Sequence, residues 1–498
     1  MNWASLGDFS SPIVQGRGVA NRSFLRALGQ FGNRIKRKVL FSPYTCGDES
    51  LNKLGYECRV RESIRRWDFS EGNWVLFHPD LDWGETARVR SYFDWPVPLS
   101  ALTHSLSYPH LIRNFLSSLP FLRDRDVLVC TSPTAKRVVK AILKKVGVDL
   151  NVRVIPLGLP DIPEPLPERL RQLARKELKI GEDDVVFLYF SRISEFSKAD
   201  LFVLMRAIYH LSKEGRKNFR VIIAGGTEES DYYQYLKGIS KVWDIGPWIS
   251  VIPNPDEKDK QVLFSISDVF LGISDNFQET FGLVLLEAMY YRLPIIAFDW
   301  GGYRDVLADY PCKRLIKTYT LQGIEKEIVD LEILSYEPKL HLMWASTIFV
   351  DFEDLLMAMR EYLYKRPQRG SIGLHPRFCW ENIIPSWEDL WQWQLQGQAH
   401  NLNVRMKDKD VVLSDIFYAI YPSTRIGFDV GYRVRGDGLI DKGLGVHPWL
   451  KAIIDESKLK RFLSEGKGGT ISEAKEWGLS ELEVLWLIKQ GWLAIEWS

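Results

Sequence analysis

Along most of the chain, short continuous apolar runs alternate with longer stretches in which apolar residues recur every three or four positions. NWVLFHPD, VPLSALTHS and DVLVCTS are of the first kind, and each ends in polar residues. VANRSFLRALGQFG is of the second kind: Ala20, Phe24, Leu28 and Phe31 share one helical face, and Gly32 can stop the helix. PTAKRVVKAILKKVG predicts another helix with Pro133 in its first turn. Strand-like and helix-like runs in alternation predict an α/β chain with a parallel sheet covered by helices.

Pro156, Pro160, Pro163, Pro165 and Pro167 crowd one short stretch, which predicts a stiff, extended connector between domains. Beyond it the alternation restarts with DVVFLYFSR, a helix over about 199–213, FRVIIAGG, ISVIPN, DVFLGIS and PIIAF. Continuous apolar runs of this kind suit parallel strands buried on both faces. Two successive strand-helix domains, 1–158 and 159–398, are expected, with a cleft at the carboxyl ends of their sheets. The remainder, 399–498, reads as a third, mainly helical accessory module. It has helical candidates near Trp449–Leu463, Ser472–Trp477 and Ser480–Lys489. TISE and SELE are capping-box patterns on either side of Gly478, and IKQGWLAIEW can add a strand, the outline of a helix-turn-helix or small winged helix. Its last helix carries Glu481 and Glu483 against Lys489, so docking or oligomerisation is expected of it rather than nucleic-acid binding.

Composition narrows the function classes. Lys and Arg number 65 against 64 Asp and Glu, a formal charge of +1, so an acidic ligand must be met by local charge. Cys46, Cys58, Cys130, Cys312 and Cys379 are scattered without a CxxC, which predicts neither a disulfide framework nor a zinc site and suits a reducing cytoplasm. Neither a membrane-spanning run nor a signal peptide is expected, and peripheral membrane contact stays open.

The chemistry concentrates in QETFGLVLLEAMYYRLPIIAFDWGG, residues 278–302. Glu287 lies there among Leu283, Val284, Leu285, Leu286, Ala288 and Met289, where an unpartnered carboxylate would cost several kcal/mol. A helix is predicted from about Gly282 to Arg292, before Pro294, so Glu279 falls in the preceding loop. The first amides, of Phe281, Gly282 and Leu283, then form an anion or hydroxyl site that Gly282 lets a ligand approach. Glu287 could accept two hydrogen bonds from a vicinal diol, or pair with a Lys or Arg for structural reasons.

The string ETFGLVLLEAMYYRLPIIAFDWGGYRDVL, with two glutamates flanking seven residues, resembles the donor-site signature of glycosyltransferase family 4. That family comprises retaining nucleotide-sugar glycosyltransferases of the GT-B fold, two Rossmann-like domains facing a cleft. The resemblance covers roughly residues 1–398 and implies further parts. LYFSRISEFSKAD supplies Arg192 and Lys198 where the family holds the donor's diphosphate, with a spacing one residue longer than the commonest form. Gly16 and Gly18 of QGRG fall at the family's glycine-rich turn, with Gln15 replacing the usual first glycine. His104 of LTHSLS matches a histidine near the reacting sugar, and FCWENIIPSWEDLWQ resembles the closing cross-over helix.

The resemblance thus implies Glu279, Arg192, Lys198 and His104 as catalytic. Gly16, Gly18, Phe281, Gly282, Leu283 and Glu287 join the first three in holding the donor. The implied reaction moves a hexose from a nucleotide-sugar co-substrate to a sugar, lipid-linked, protein or small-molecule acceptor. No other cofactor is expected. DLD at Asp80–Asp82, DRD at Asp124–Asp126 and DKD at Asp408–Asp410 fit a metal-binding pattern that arises often by chance, and no metal is expected with Arg192 and Lys198 present. A nucleotide-sugar epimerase or a non-catalytic scaffold of the same fold are the alternatives. Donor base, sugar, linkage and acceptor are not specified by these motifs.

Overall fold

A computed structural model of the 498-residue chain describes residues 1–7, 9, 16–42, 49–215, 218–227, 231–277, 279–321, 338–365, 369–370, 373–397, 399–402, 404, 413–420, 424–436, 438–451, 453–465 and 468–496. Gln15 and Asp408–Asp410 lie outside the described residues. Contacts divide the chain into two compact units. One comprises Met1–Ile162, Thr280–Leu286 and Leu374–Ile420, and the other Pro163–Glu279, Glu287–Gly373 and Tyr421–Ser498. The division at Ile162 falls inside the proline-rich stretch, which has no regular secondary structure until a helix starts at Glu168. Residues 399–498, set apart in the sequence as one module, are shared between the two units.

Among its described residues the first unit holds seven parallel strands: β1 (Asn2–Ser5), β2 (Arg37–Ser42), β3 (Tyr56–Val60), β4 (Trp74–His78), β5 (Leu99–Leu102), β6 (Val127–Cys130) and β7 (Asn151–Val154). Their order is β3-β2-β1-β4-β5-β6-β7. The predicted helices form over Gly16–Phe31 and Pro133–Val146. Ser132 caps the second through its side chain, and Gly147 ends it with φ 74°. Gly16 and Gly18 are therefore the first turn of a helix and not a loop before it, a correction to the sequence reading. The Trp380–Gln394 helix returns to this unit: Trp391 Nε1 donates to Ser100 Oγ at 3.0 Å, and Phe24, Phe77 and Trp387 pack ring against ring.

The second unit has β8 (Val185–Phe190), β9 (Phe219–Gly225), β10 (Ile249–Pro253), β11 (Val269–Gly272), β12 (Ile295–Phe298) and β13 (Lys313–Ile316). All pair in parallel, in the order β10-β9-β8-β11-β12-β13. A smaller sheet joins β14 (Thr318–Leu321), β15 (Ile348–Val350) and β16 (Thr424–Ile426). A third, antiparallel, joins β17 (Gly431–Val434), β18 (Gly469–Thr470) and β19 (Leu493–Glu496).

Both C-terminal capping boxes form, Thr470 with Glu473 and Ser480 with Glu483. They open the Ile471–Glu476 and Glu481–Lys489 helices. The helix expected over Trp449–Leu463 instead starts at Glu456, because Asp455 Oδ1 accepts the amides of Ser457 and Lys458 at 3.0 and 3.2 Å and so caps it there. The Glu481–Lys489 helix is buried from Leu482 to Lys489 and cannot also offer that surface to a nucleic-acid groove.

One buried ion pair fixes the rim of the first sheet. Arg90 Nη1 and Nη2 reach the two carboxylate oxygens of Asp126 at 2.6 and 2.7 Å, with both side chains 0% exposed. Asp126 also accepts the amides of Leu99 and Arg123 at 2.8 and 2.7 Å, so its charge is shared over four donors. Asp126→Ala strands the guanidinium and is expected to cost about 3–5 kcal/mol in urea unfolding, whereas a loss below about 1 kcal/mol would mean that the pair is dispensable.

Candidate functional site

The strand order of the second sheet reverses between β8 and β11, and open α/β sheets bind ligands beyond the carboxyl ends of such a pair. The segment after β8 contains Arg192 and Lys198, and the segment after β11 contains Glu279. Topology alone therefore gathers three of the sequence-predicted residues at one edge. Gly225, which ends β9, makes this possible: with φ 151°, it passes so close that a Cβ would lie 1.6 Å from Ser191 O. Ile193 N then donates to Gly226 O at 2.8 Å.

Lys198 Nζ lies 2.8 Å from Glu279 Oε2, with the carboxylate side chain 7% exposed and the lysine 22%. A desolvated carboxylate demands such a partner. The backbone of Glu279 is held from the next strand, where Gly302 N donates to Glu279 O at 2.9 Å. Gly301 has φ 56°, and a Cβ on it would meet that same oxygen at 2.3 Å, so glycine is required at this position. Arg192 is half-buried. It and Glu279 both act on the Tyr189 phenol, which burial pushes up, Arg192 lowering it and Glu279 raising it. Burial likewise raises the Tyr303 phenol, with Glu279 next in effect.

The carboxylate of Glu287 has found a cation. Lys260 Nζ sits 2.7 Å from Glu287 Oε1, their side chains 14% and 6% exposed. Burial pulls the Lys260 ammonium down, but the charge and hydrogen bond of Glu287 outweigh it and its pKa ends above the usual value. The ammonium also stands 5.6 Å from the ring centre of Phe190, the last residue of β8. Lys260 lies in the first turn of the Glu257–Ile266 helix, opened by a capping box of Asp256 with Asp259. The sequence reading allowed a Lys or Arg partner without identifying it. The signal available was that capping box, which placed a helix but not its facing residue.

Gly282 has φ 87° and precedes the Leu283–Tyr290 helix, shorter at each end than expected. Phe281 is buried, and Leu285 N donates to Gly282 O at 3.0 Å. Thr280–Leu286 group with the first unit, where Thr280 Oγ1 donates to His104 O at 2.9 Å. The His104 ring has its own partner, Asn21 Oδ1 at 2.9 Å from Nε2. Burial holds this imidazole below its ordinary range, against the pull of Asp80. Gly16 is exposed, and a Cβ there would meet nothing within 4 Å, while Gly18 is buried.

The aspartates of the two described DxD patterns are committed to protein donors. Asp80 accepts from Arg17 at 2.5 Å, Asp82 lies 3.1 Å from His78 Nε2, Asp124 accepts from His400 N at 2.9 Å, and Asp126 pairs with Arg90. Among the described residues no group of three or more His, Cys, Asp or Glu side chains is placed to hold a metal ion, and no helix is long and apolar enough to cross a membrane.

Comparison with known proteins follows the same line. The family model of glycosyl transferases group 1 matches residues 171–344, a range that contains every strand of the second unit's main sheet. The chain is 27% identical over 187 residues to an alpha-1,3/1,6-mannosyltransferase of Homo sapiens, covering 36% of this chain and 43% of that protein. It is 26% identical over 245 residues to a D-inositol 3-phosphate glycosyltransferase of Corynebacterium aurimucosum, covering 46% and 56%. The chain thus matches about half the length of these curated relatives. Among solved structures, Anabaena HepE in complex with UDP and glucose aligns with TM-score 0.51 and 16% identity over 79% of this chain and all of that one. Sucrose-phosphate synthase from Thermosynechococcus elongatus aligns with TM-score 0.50 and 16% identity over 79% of this chain and 99% of that one. Residues 171–344 are thus similar to glycosyl transferases group 1, and the two solved structures share the fold of paired parallel sheets.

Proposed function

We propose that the chain is a retaining, metal-independent hexosyltransferase that takes its sugar from a nucleotide-sugar donor and passes it to an acceptor hydroxyl. The observation that carries this reading is the Lys198–Glu279 pair at the reversal point of the second sheet, with Arg192 on the same segment as Lys198. Breaking a sugar-phosphate bond puts charge on the departing diphosphate, and fixed cations lower the barrier most when aimed at that charge. Arg192 and Lys198 serve this role. Glu279 accepts hydrogen bonds from sugar hydroxyls, and the amides of Phe281, Gly282 and Leu283 supply donors beside it. Donor binding exchanges partners: hydroxyls replace the ammonium at Glu279, and Lys198 turns to the phosphate oxygens.

Glu287 holds the ribose diol through the oxygen that Lys260 does not take, with Lys260 fixing the carboxylate beforehand. The family resemblance is the support for assigning Gly16 and Gly18 to the donor phosphates and His104 to the reacting sugar. The departing phosphate oxygen takes the acceptor's proton as the acceptor attacks from the face that the phosphate leaves, which retains configuration. Hexose transfer is favoured over epimerisation because the matched curated relatives are described as glycosyltransferases and a mannosyltransferase. Cytoplasmic placement is supported by the scattered spacing of the cysteines, which forms no CxxC.

Thermal-shift screening with UDP-glucose, UDP-galactose, GDP-mannose and ADP-glucose tests the reading, since a ligand at about 100 times its Kd adds about 2.7 kcal/mol to the native state. One donor is expected to raise the melting temperature, with EDTA making no difference. Lys198→Met is then expected to cut turnover about 10²–10³-fold. A chain indifferent to all four donors at millimolar concentration would overturn the proposal.

The Lys260–Glu287 pair has a separate signature in stability. Because the Lys260 pKa is raised on folding, its contribution is complete below the unfolded value of 10.5 and fades as pH rises through the folded one. Glu287→Gln removes the raising partner and leaves burial to dominate. That variant should lose stability at lower pH than the wild type in urea titrations through the alkaline range, and parallel curves would refute the coupling.

A further inference from the structure

The two segments that carry Arg192, Lys198 and Glu279 are irregular, and part of their support comes from far along the chain. They are tied to each other: Asn276 Nδ2 donates to Phe196 O, Ser274 Oγ to Lys198 O at 3.3 Å, and Asp200 N to Asp275 Oδ2 at 3.3 Å. The C-terminal residues of the same unit then grip each segment through a buried charged or polar contact. His447 Nε2 lies 3.1 Å from Glu195 Oε1, between Arg192 and Lys198 in sequence, with Glu195 2% exposed. Lys489 Nζ lies 2.8 Å from Asp275 Oδ2, on the segment leading to Glu279, with the two side chains 3% and 2% exposed. Gln490 Nε2 donates to Asp200 Oδ2 at 2.5 Å, and Tyr232 OH donates to Asp200 Oδ1 at 2.8 Å.

This is more than a tail packed on a surface. Lys489 also donates to Ala345 O at 2.7 Å, and Arg206 Nη1 donates to Gln490 O at 3.1 Å, so the end of the Glu481–Lys489 helix is itself pinned. The Arg206 guanidinium stacks 3.7 Å from the ring centre of Trp492. Burial lifts the Asp275 carboxyl to about 6 even with Lys489 beside it. Its Oδ1 has no partner among the described residues. Buried ion pairs are a costly way to gain stability and apolar residues of similar volume often do as well, so their value lies in fixing direction and register. Here the Lys489–Asp275 ion pair and the His447–Glu195 polar contact land on the segments whose side chains must be aimed.

We infer that the C-terminal region, residues 438–490, is an integral part of the donor site, in which Lys489 and His447 are positioning residues that hold the segments bearing Glu279, Arg192 and Lys198 in register. The inference rests on the donor reading above, and its test separates the two. Binding of UDP, GDP and ADP to the full-length chain is measured by calorimetry, and amide hydrogen exchange is followed by mass spectrometry. The wild type binds one of the three. Lys489→Met weakens that binding at least about tenfold and speeds exchange in 191–200 and 273–279 while leaving β1 to β7 unchanged, effects that a general loss of stability would not confine.

Lys489→Arg retains most of the affinity. If Lys489→Met does not fold, the double variant Asp275→Asn with Lys489→Met removes both charges, leaves no stranded ion and is expected to show the same weakening. His447→Gln gives a smaller loss with faster exchange confined to 191–200. A wild type that binds a diphosphate while the folded variants bind it within about twofold overturns the brace alone. A wild type that binds none of the three overturns the donor reading beneath it.

Discussion

The constraint on which this structure turns is that a carboxylate buried at the end of a parallel sheet must be given a cation. Glu279 and Glu287 are 6% and 5% exposed. Each is answered from a different element: Glu279 by Lys198 on the segment after β8, and Glu287 by Lys260 on the first turn of a helix before β11. Much local backbone follows. Gly301 must be glycine because Glu279 O passes so near, and Gly225 must be glycine because Ser191 O does. The acids are fixed points, and the cations and glycines are what the chain needed to place them.

The fold was largely legible in the sequence because its signal is repetitive. Buried parallel strands read as unbroken apolar runs, and DVVFLYF, FRVIIAGG, DVFLGIS and PIIAF all became strands of one sheet. Pro133, Gly32, and the Thr470 and Ser480 capping boxes marked helix ends by local chemistry and did so correctly. The start at Glu456 was missed since an aspartate cap, Asp455, is local and the apolar pattern around it is not. Gly16 and Gly18 were read as a turn because glycine favours turns, yet they form the first turn of the Gly16–Phe31 helix.

The site was legible only where residues lie close together in the chain. The pair Glu279 and Glu287 stands in one string, and Arg192 and Lys198 in another. Lys260 reaches the same chemistry from a separate helix, and nothing in its immediate neighbours announces it. The alternatives first weighed for Glu287, a diol or a structural cation, also need not exclude one another. Lys260 meets one of the carboxylate oxygens, and an acid with two oxygens can be neutralised on one side and still accept on the other.

Why a C-terminal helix should reach the segments after β8 and β11 with charge rather than with grease follows from what those segments are. Irregular backbone at a strand end leaves amides and carbonyls that must be paired, and an apolar cover would strand them. Asp275 resolves this by accepting the Asp200 amide, at the cost of a second desolvated acid. Lys489 offsets that acid, and its remaining donors are absorbed in part by Ala345 O. A hydrophobic contact would have been cheaper but free to slide. Ion pairs and hydrogen bonds at about 2.8 Å tolerate no such slippage, which is what segments bearing Arg192, Lys198 and Glu279 require if their side chains are to meet one ligand together.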